Sequence, residues 1–297
     1  MIKVHTIDLH FSGLKEAIGA FFVETSEGPI LIETGPHSTF PSLEKGIENL
    51  GYSVADIKHV FLTHIHLDHA GAAWALAEQG ANVYLHPFGV KHMADPSKLM
   101  ASAKMIYQDR MDELWGEMKP IPESQLIQVN HEEVIEIGEL KIKSLHTPGH
   151  ASHHIAWQID DIIFTGDVAG VKIEKGPVQP PCPPPDINIE LWLESIEILR
   201  KENPSKFFLT HFNAIENVKE HLDELTEMLK DWSEFVKALW EKGLSNEEIV
   251  PMFVEHTKGQ LLAAGLGDTE IDQYEAANPS WMSVAGLVRY WSKKAQT

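Results

Sequence analysis

Residues 61–70, FLTHIHLDHA, carry three histidines and an aspartate within six positions, directly after an apolar run. Imidazole and carboxylate are the side chains that hold divalent metals such as zinc, iron and manganese. In an extended segment residues two apart point the same way, so His64 and His66 can bind one ion. Asp68 and His69 fall where a helix begins, diverge from that pair and can serve a second ion. Three later places repeat the pattern of an apolar strand followed by a metal-competent residue. SLHTPGH gives His150, IIFTGD gives Asp167 and FFLTH gives His211. His150 would complete a three-histidine set with His64 and His66. His211 would join Asp68 and His69, and Asp167, with two carboxylate oxygens, is the natural bridge. Such an ion keeps a position open for water, the mark of a catalytic rather than a structural site.

These residues need strands to present them. Apolar runs at 17–25 and 29–34 around a Glu-Gly-Pro turn predict a hairpin. Helices are expected over 40–51 and 69–80, each ending in glycine, with buried strands at 57–63 and 81–86. This β-α-β rhythm packs helices against a sheet. It breaks at 88–119, where a Met- and aromatic-rich stretch reads as a helical insertion. Strands return at 125–130, 133–138, 140–148, 154–160 and 161–167. Six of the nine residues 177–185 are proline, so this stretch is a stiff loop, neither helix nor central strand. A helix over 187–204 and a strand over 206–212 follow.

Beyond residue 214 the pattern is all-helical. Val218, Leu222, Leu225, Leu229, Trp232, Val236 and Leu239 form one apolar face. Ser245 with Glu248 is a capping-box start, and Asn278-Pro279 opens a last aromatic helix. The expected organisation is a catalytic domain over 1–213 and a C-terminal helical extension over 214–297.

The Thr-His-x-His-x-Asp-His run at 63–69, TPGH at 147–150, TGD at 165–167 and strand-terminal His211 together resemble the metallo-β-lactamase superfamily. The resemblance covers about residues 1–213. It implies an αββα sandwich with two metal ions, zinc first and iron or manganese as alternatives, among His64, His66, Asp68, His69, His150, Asp167 and His211. It also implies hydrolysis by a metal-bridging hydroxide, with Asp68 also passing the proton. An ester, lactone or thioester of a small molecule is the expected substrate, as in the glyoxalase II and lactonase branch. The lactonases carry a tyrosine three residues after the bridging aspartate. Here Gly170 stands there, so an oxyanion donor must come from elsewhere, with Tyr107 and His154 as candidates. Alternatives are a persulfide dioxygenase-like enzyme with one iron, or a phosphodiesterase.

The net charge of −20 repels polyanions, so no nucleic-acid partner is expected. No stretch is apolar enough to span a membrane, and the first residues lack a signal-peptide pattern. With one cysteine, Cys182, a cytoplasmic protein is expected. The aromatics over 281–291 suggest a homodimer contact or a docking face for the tail. His153, His37, His86 and Arg110 are secondary site candidates. The remaining histidines read as structural.

Overall fold

The computed structural model describes residues 2–212 and 214–296. Asn213, the last residue expected of the catalytic domain, lies outside the described residues.

The first sheet is β1 (Val4–Asp8), β2 (Gly19–Val23), β3 (Ile30–Ile32), β4 (His59–Phe61), β5 (Asn82–Leu85) and β6 (Leu126–Gln128), in that spatial order. The first three strands are antiparallel and the rest parallel. The parallel pairs require helical crossovers. These are α1 (Phe40–Asn49), then α2 (Leu67–Ala70) with α3 (Ala73–Glu78), then α4 (Pro87–Ala94), α5 (Ser97–Tyr107) and α6 (Met111–Leu114). The second sheet runs from β7 (Val134–Ile137) through β8 (Leu140–His146), β9 (Ile155–Ile159), β10 (Ile162–Gly166) and β11 (Lys206–Leu209) to β12 (Ala214–Ile215). Only β10 and β11 are parallel there, joined through α7 (Ile189–Glu202). Four more helices follow: α8 (Val218–Trp240), α9 (Asn246–Ala263), α10 (Asp268–Ala277) and α11 (Ser280–Lys294).

Alternation along the strands sorts the side chains into layers. Phe21, Ile30, Ile32, Phe61 and Tyr84 face inward and meet Ile155, Trp157, Ile159 and Phe164 of the second sheet. The Phe21 ring lies 5.3 Å from Phe164, and Phe61 lies 5.1 Å from Trp157. Their neighbours Phe22, Leu31, Val60 and Val83 face outward into the core shared with α1 and α3. On the far side Ala156, Ile163 and Phe207 meet Trp192 and Ile196 of α7 and Leu222 and Leu225 of α8. The result is the expected αββα sandwich, with α8, α9 and α11 sharing the outer core of the second sheet.

Some elements differ from expectation. The helix expected over 69–80 is split between Ala70 and Ala73, where Gly71 lies so close to Pro36 and His37 that a side chain has no room and Ala72 leaves helical geometry (φ −98°, ψ 0°). The Ala72 N–H then turns to the Gly35 carbonyl, 2.9 Å away. The insertion is three helices, with a non-helical Gln108 (φ 49°, ψ −120°) after α5. Edge strands β1 and β12 were not expected, being short and weakly patterned. Tyr290 and Trp291 lie in or against the core, with Trp291 Nε1 donating to Ser233 O, and only Trp281 of that series is exposed. Among the described residues no helix is long and apolar enough to cross a membrane.

Trp157 is fully buried between the sheets, and its Nε1 donates to Leu62 O at 3.0 Å. Trp157→Ala is expected to cost about 3–5 kcal/mol of stability by urea unfolding. A loss below about 1 kcal/mol would contradict a core common to both sheets.

Candidate metal centre

The seven candidate ligands lie at one end of the sandwich. After β4 the chain runs extended to His66, which caps α2, and Asp68 and His69 sit on that short helix. His150 follows β8, Asp167 follows β10 and His211 follows β11. His64 Nε2 is 2.9 Å from His66 Nδ1, which is 3.0 Å from His150 Nε2. Asp68 Oδ2 lies 3.6 Å from His69 Nε2 and 3.5 Å from His211 Nε2. Asp167 divides its two oxygens. Oδ2 is 3.2 Å from His150 Nε2, whereas Oδ1 is 3.2 Å from His69 Nε2 and 3.3 Å from His211 Nε2. Two groups able to hold an ion result, His64/His66/His150 and Asp68/His69/His211, and His64, His69 and Asp167 form a third that joins them.

The donors fit a metal. His69 Nε2, His211 Nε2 and Asp167 Oδ1 are buried without a hydrogen-bond partner. Leaving such atoms unpaired is costly, so native structures rarely tolerate it without a water or ion. The outer nitrogens are already committed. His211 Nδ1 donates to Ala17 O at 2.8 Å and His150 Nδ1 to Pro181 O at 2.8 Å. His69 Nδ1 donates to Glu33 Oε1 at 2.9 Å. Each bond fixes the tautomer that turns a lone pair on Nε2 toward the centre, as metal-ligating histidines usually require.

Glu33 was missed by sequence reasoning. It is fully buried beyond β3 and accepts from His69, from the Thr63 and Thr210 hydroxyls and from Thr63 N. The available signal was weak: PILIET ends an apolar strand in a carboxylate, but with the threonine after it and not before it as in the ligand-bearing strands.

The other candidates fall in different places. His154 is buried. Its Nε2 accepts the Asp167 N–H at 3.2 Å, and Nδ1 lies 2.8 Å from Thr147 Oγ1. Tyr107 is half-buried between the rings of Trp115 and Trp281, at 5.0 and 5.9 Å. Burial, and then the charge of Asp68, push its hydroxyl well above the usual range. His153 lies 5.7 Å from the His66 ring with a buried, unpartnered Nδ1. His37 packs on Trp74, His86 caps α4, and exposed Arg110 pairs with Glu113. Cys182 is buried, and burial raises its thiol pKa. A cavity of about 760 Å³ is lined by the insertion and His37, with residues such as Asp95, Met100 and Asp112, and by none of the seven ligands.

Charge divides the two groups. Burial lowers the pKa of His64 and His150, and brings His66 to about 4. His69 and His211 go the other way. Burial opposes their charge, but Asp167 above all, with Asp68 and (for His69) Glu33, raises His69 well above its usual value and His211 to about 9. For Asp68, burial is outweighed by His69 and His211, which hold it at about 2. Without metal, the surrounding carboxylates therefore favour the protonated form of the His69 and His211 imidazoles.

Carboxylates and imidazoles meeting at the strand ends of an αββα sandwich define a class of metal-binding fold. The chain belongs to the metallo-beta-lactamase superfamily, whose sequence pattern matches residues 17–211. It is 28% identical over 201 residues to the metallo-beta-lactamase fold-containing protein ST1585 of the archaeon Sulfurisphaera tokodaii, covering 62% of this chain and 73% of the relative. The solved ST1585 structure superposes with a TM-score of 0.63 at 25% identity, over 77% of this chain and 85% of the other. A metallo-beta-lactamase family protein of Thermus thermophilus, TTHA1429, matches 99% of this chain and 94% of its own length, with a TM-score of 0.70 at 17% identity. The chemotaxis sensor ODP, solved as a peroxy diiron species, shares the fold at 13% identity and a TM-score of 0.55, over 76% of this chain and 90% of its own.

Two outcomes follow from the charge pattern. Because His211 holds its proton up to about 9, zinc uptake below that pH must displace protons. Calorimetry in buffers of different ionisation enthalpy should show proton release, with affinity falling as pH falls; pH-independent affinity would contradict it. Glu33→Gln should weaken zinc binding about 10–100-fold in a chelator competition. A change within about twofold would show that Glu33 does not orient His69.

Proposed function

We propose that the centre holds two divalent metal ions, zinc first among them, and that the protein hydrolyses an ester, lactone or thioester of a small molecule. The observation that carries this reading is Asp167, whose two oxygens face two separate groups of ligands. A metal pair bound there supplies a nucleophilic hydroxide near neutral pH and polarises the substrate's oxygen. The remaining work belongs to the chain.

Asp68 is the carboxylate ligand open to solvent, 22% exposed against 4% for Asp167. It takes a proton from the attacking water and returns it to the leaving group. The Tyr107 hydroxyl, kept protonated by burial and by Asp68, donates a hydrogen bond to the oxyanion. His154 has its Nε2 engaged by the Asp167 N–H, so it positions Asp167 instead of meeting the substrate. The negative surface favours a neutral or cationic substrate over a polyanion.

An iron oxidoreductase is the second reading, supported by the all-nitrogen-and-oxygen donor set, which suits iron as well as zinc.

Metal quantification with a panel of a lactone, an aryl ester, a thioester and a phosphodiester tests the proposal, with an oxygen electrode run in parallel on the iron-loaded protein. His66→Ala should cut kcat/KM at least about 100-fold, since even an outer partner of a ligand is worth 10–100-fold. Tyr107→Phe should lower kcat about 100-fold while metal content stays unchanged. Full activity in metal-free protein, or oxygen uptake without hydrolysis, would overturn the hydrolase reading.

A further inference from the structure

The C-terminal helices pack outside the two sheets, yet their hydrogen bonds reach both loops whose carbonyls orient the candidate ligand histidines His150 and His211. The His150 ring is held by Pro181 O, inside the proline-rich loop. That loop has few means of holding itself. Over 177–185 only Val178, Gln179 and Cys182 possess a backbone N–H, because the other residues are proline. Two of these three N–H groups go to the C-terminal helices. Val178 N donates to Glu224 Oε1 of α8 at 3.0 Å, and Cys182 N to Ser283 Oγ of α11 at 3.2 Å. Gln179 N donates to Val171 O at 2.9 Å. Ser283 is fully buried and in turn donates to Asn278 Oδ1 at 3.0 Å, so its hydroxyl is fixed. One turn further along α11, Gly286 lies so close that a β-carbon there would overlap the Cys182 carbonyl oxygen. The Tyr274 hydroxyl of α10 donates to Pro177 O at 2.8 Å at the start of the loop.

The second arm is independent of the first. His211 is held by Ala17 O, in the loop between β1 and β2. Two residues earlier, Lys15 O accepts from Gln273 Nε2 of α10 at 2.7 Å. Gln273 is buried.

We propose that the C-terminal helices are a positioning device for the metal centre: Ser283 and Gly286 set the loop that aims His150, and Gln273 sets the loop that aims His211. The inference rests on the reading that the centre binds two metals, but on no particular substrate. Because His150 and His211 belong to different ligand groups, the two arms act on different ions. The tail is then part of the metal site's outer support and not only a cover for the second sheet.

The test is zinc affinity of the full-length protein, measured against a chromophoric chelator, with metal-free stability recorded for every variant. His66→Ala and His69→Ala mark which binding step belongs to which group. Gly286→Ala should weaken the step lost in His66→Ala at least about tenfold and leave the other unchanged. Ser283→Ala should do the same more mildly, and it carries the test if Gly286→Ala does not fold. Gln273→Met, which keeps the size and removes the donor, should weaken the step lost in His69→Ala. Phe253→Leu, in the core of α9, is the control: it should lower stability and leave both affinities as they are.

Variants that lose stability like the control while both zinc affinities stay within about twofold of the unmodified protein would overturn the positioning role. Zinc binding by none of these proteins, the unmodified chain included, would overturn the underlying metal reading as well. No hydrolysis by the unmodified zinc-loaded protein, with the variant affinities altered as described, would overturn only the hydrolase reading.

Discussion

Asp167 is the constraint to which the rest of the structure answers. A nearly buried carboxylate must be paired, and this one presents one oxygen to His150 and the other to His69 and His211. Its backbone N–H is tied to His154, and Gly166 before it adopts a positive φ of 50° where a side chain would strike Thr63 and His154. With the carboxylate fixed in this way, the ligands on either side fall into two groups and the outer hydrogen bonds complete each ring's orientation. Removing any one of those outer partners leaves a buried polar atom unpaired.

The fold supplies the rigidity such a site needs. The two sheets are tied together at this end by the Ile155 N–H on Thr63 O and the Gly19 N–H on Thr210 O. Trp157 adds a third link through Leu62 O. Residues 62, 63 and 210 directly adjoin ligands or are within two positions of them, so the sandwich contact and the metal geometry share one framework. Binding constellations held by strand ends in this way are more precise than those on free loops.

The candidate ligands stood out in the sequence because they gather shortly beyond apolar strands, and strands are recorded by alternation. The layers were legible for the same reason: Phe21 and Phe22 face opposite cores, as period two demands. Glu33 was harder to read, since a single carboxylate after a strand carries no motif by itself; only the fold brings it against His69 and Thr63. His154 reads as a site residue by proximity to His150, but its role depends on which nitrogen faces Asp167. The split at Gly71 and the links from α10 and α11 to the ligand loops were invisible, because they depend on contacts far apart in the chain. Tyr107 was singled out for its place in the insertion, where it packs against Trp115 and Trp281.

The measurement that tests this account most directly is anomalous diffraction at the zinc edge from crystals of the metal-loaded protein. The account predicts two peaks about 3.5–4 Å apart, bridged by Asp167, one against His64, His66 and His150 and the other against Asp68, His69 and His211. A single peak, or peaks away from these side chains, would contradict it.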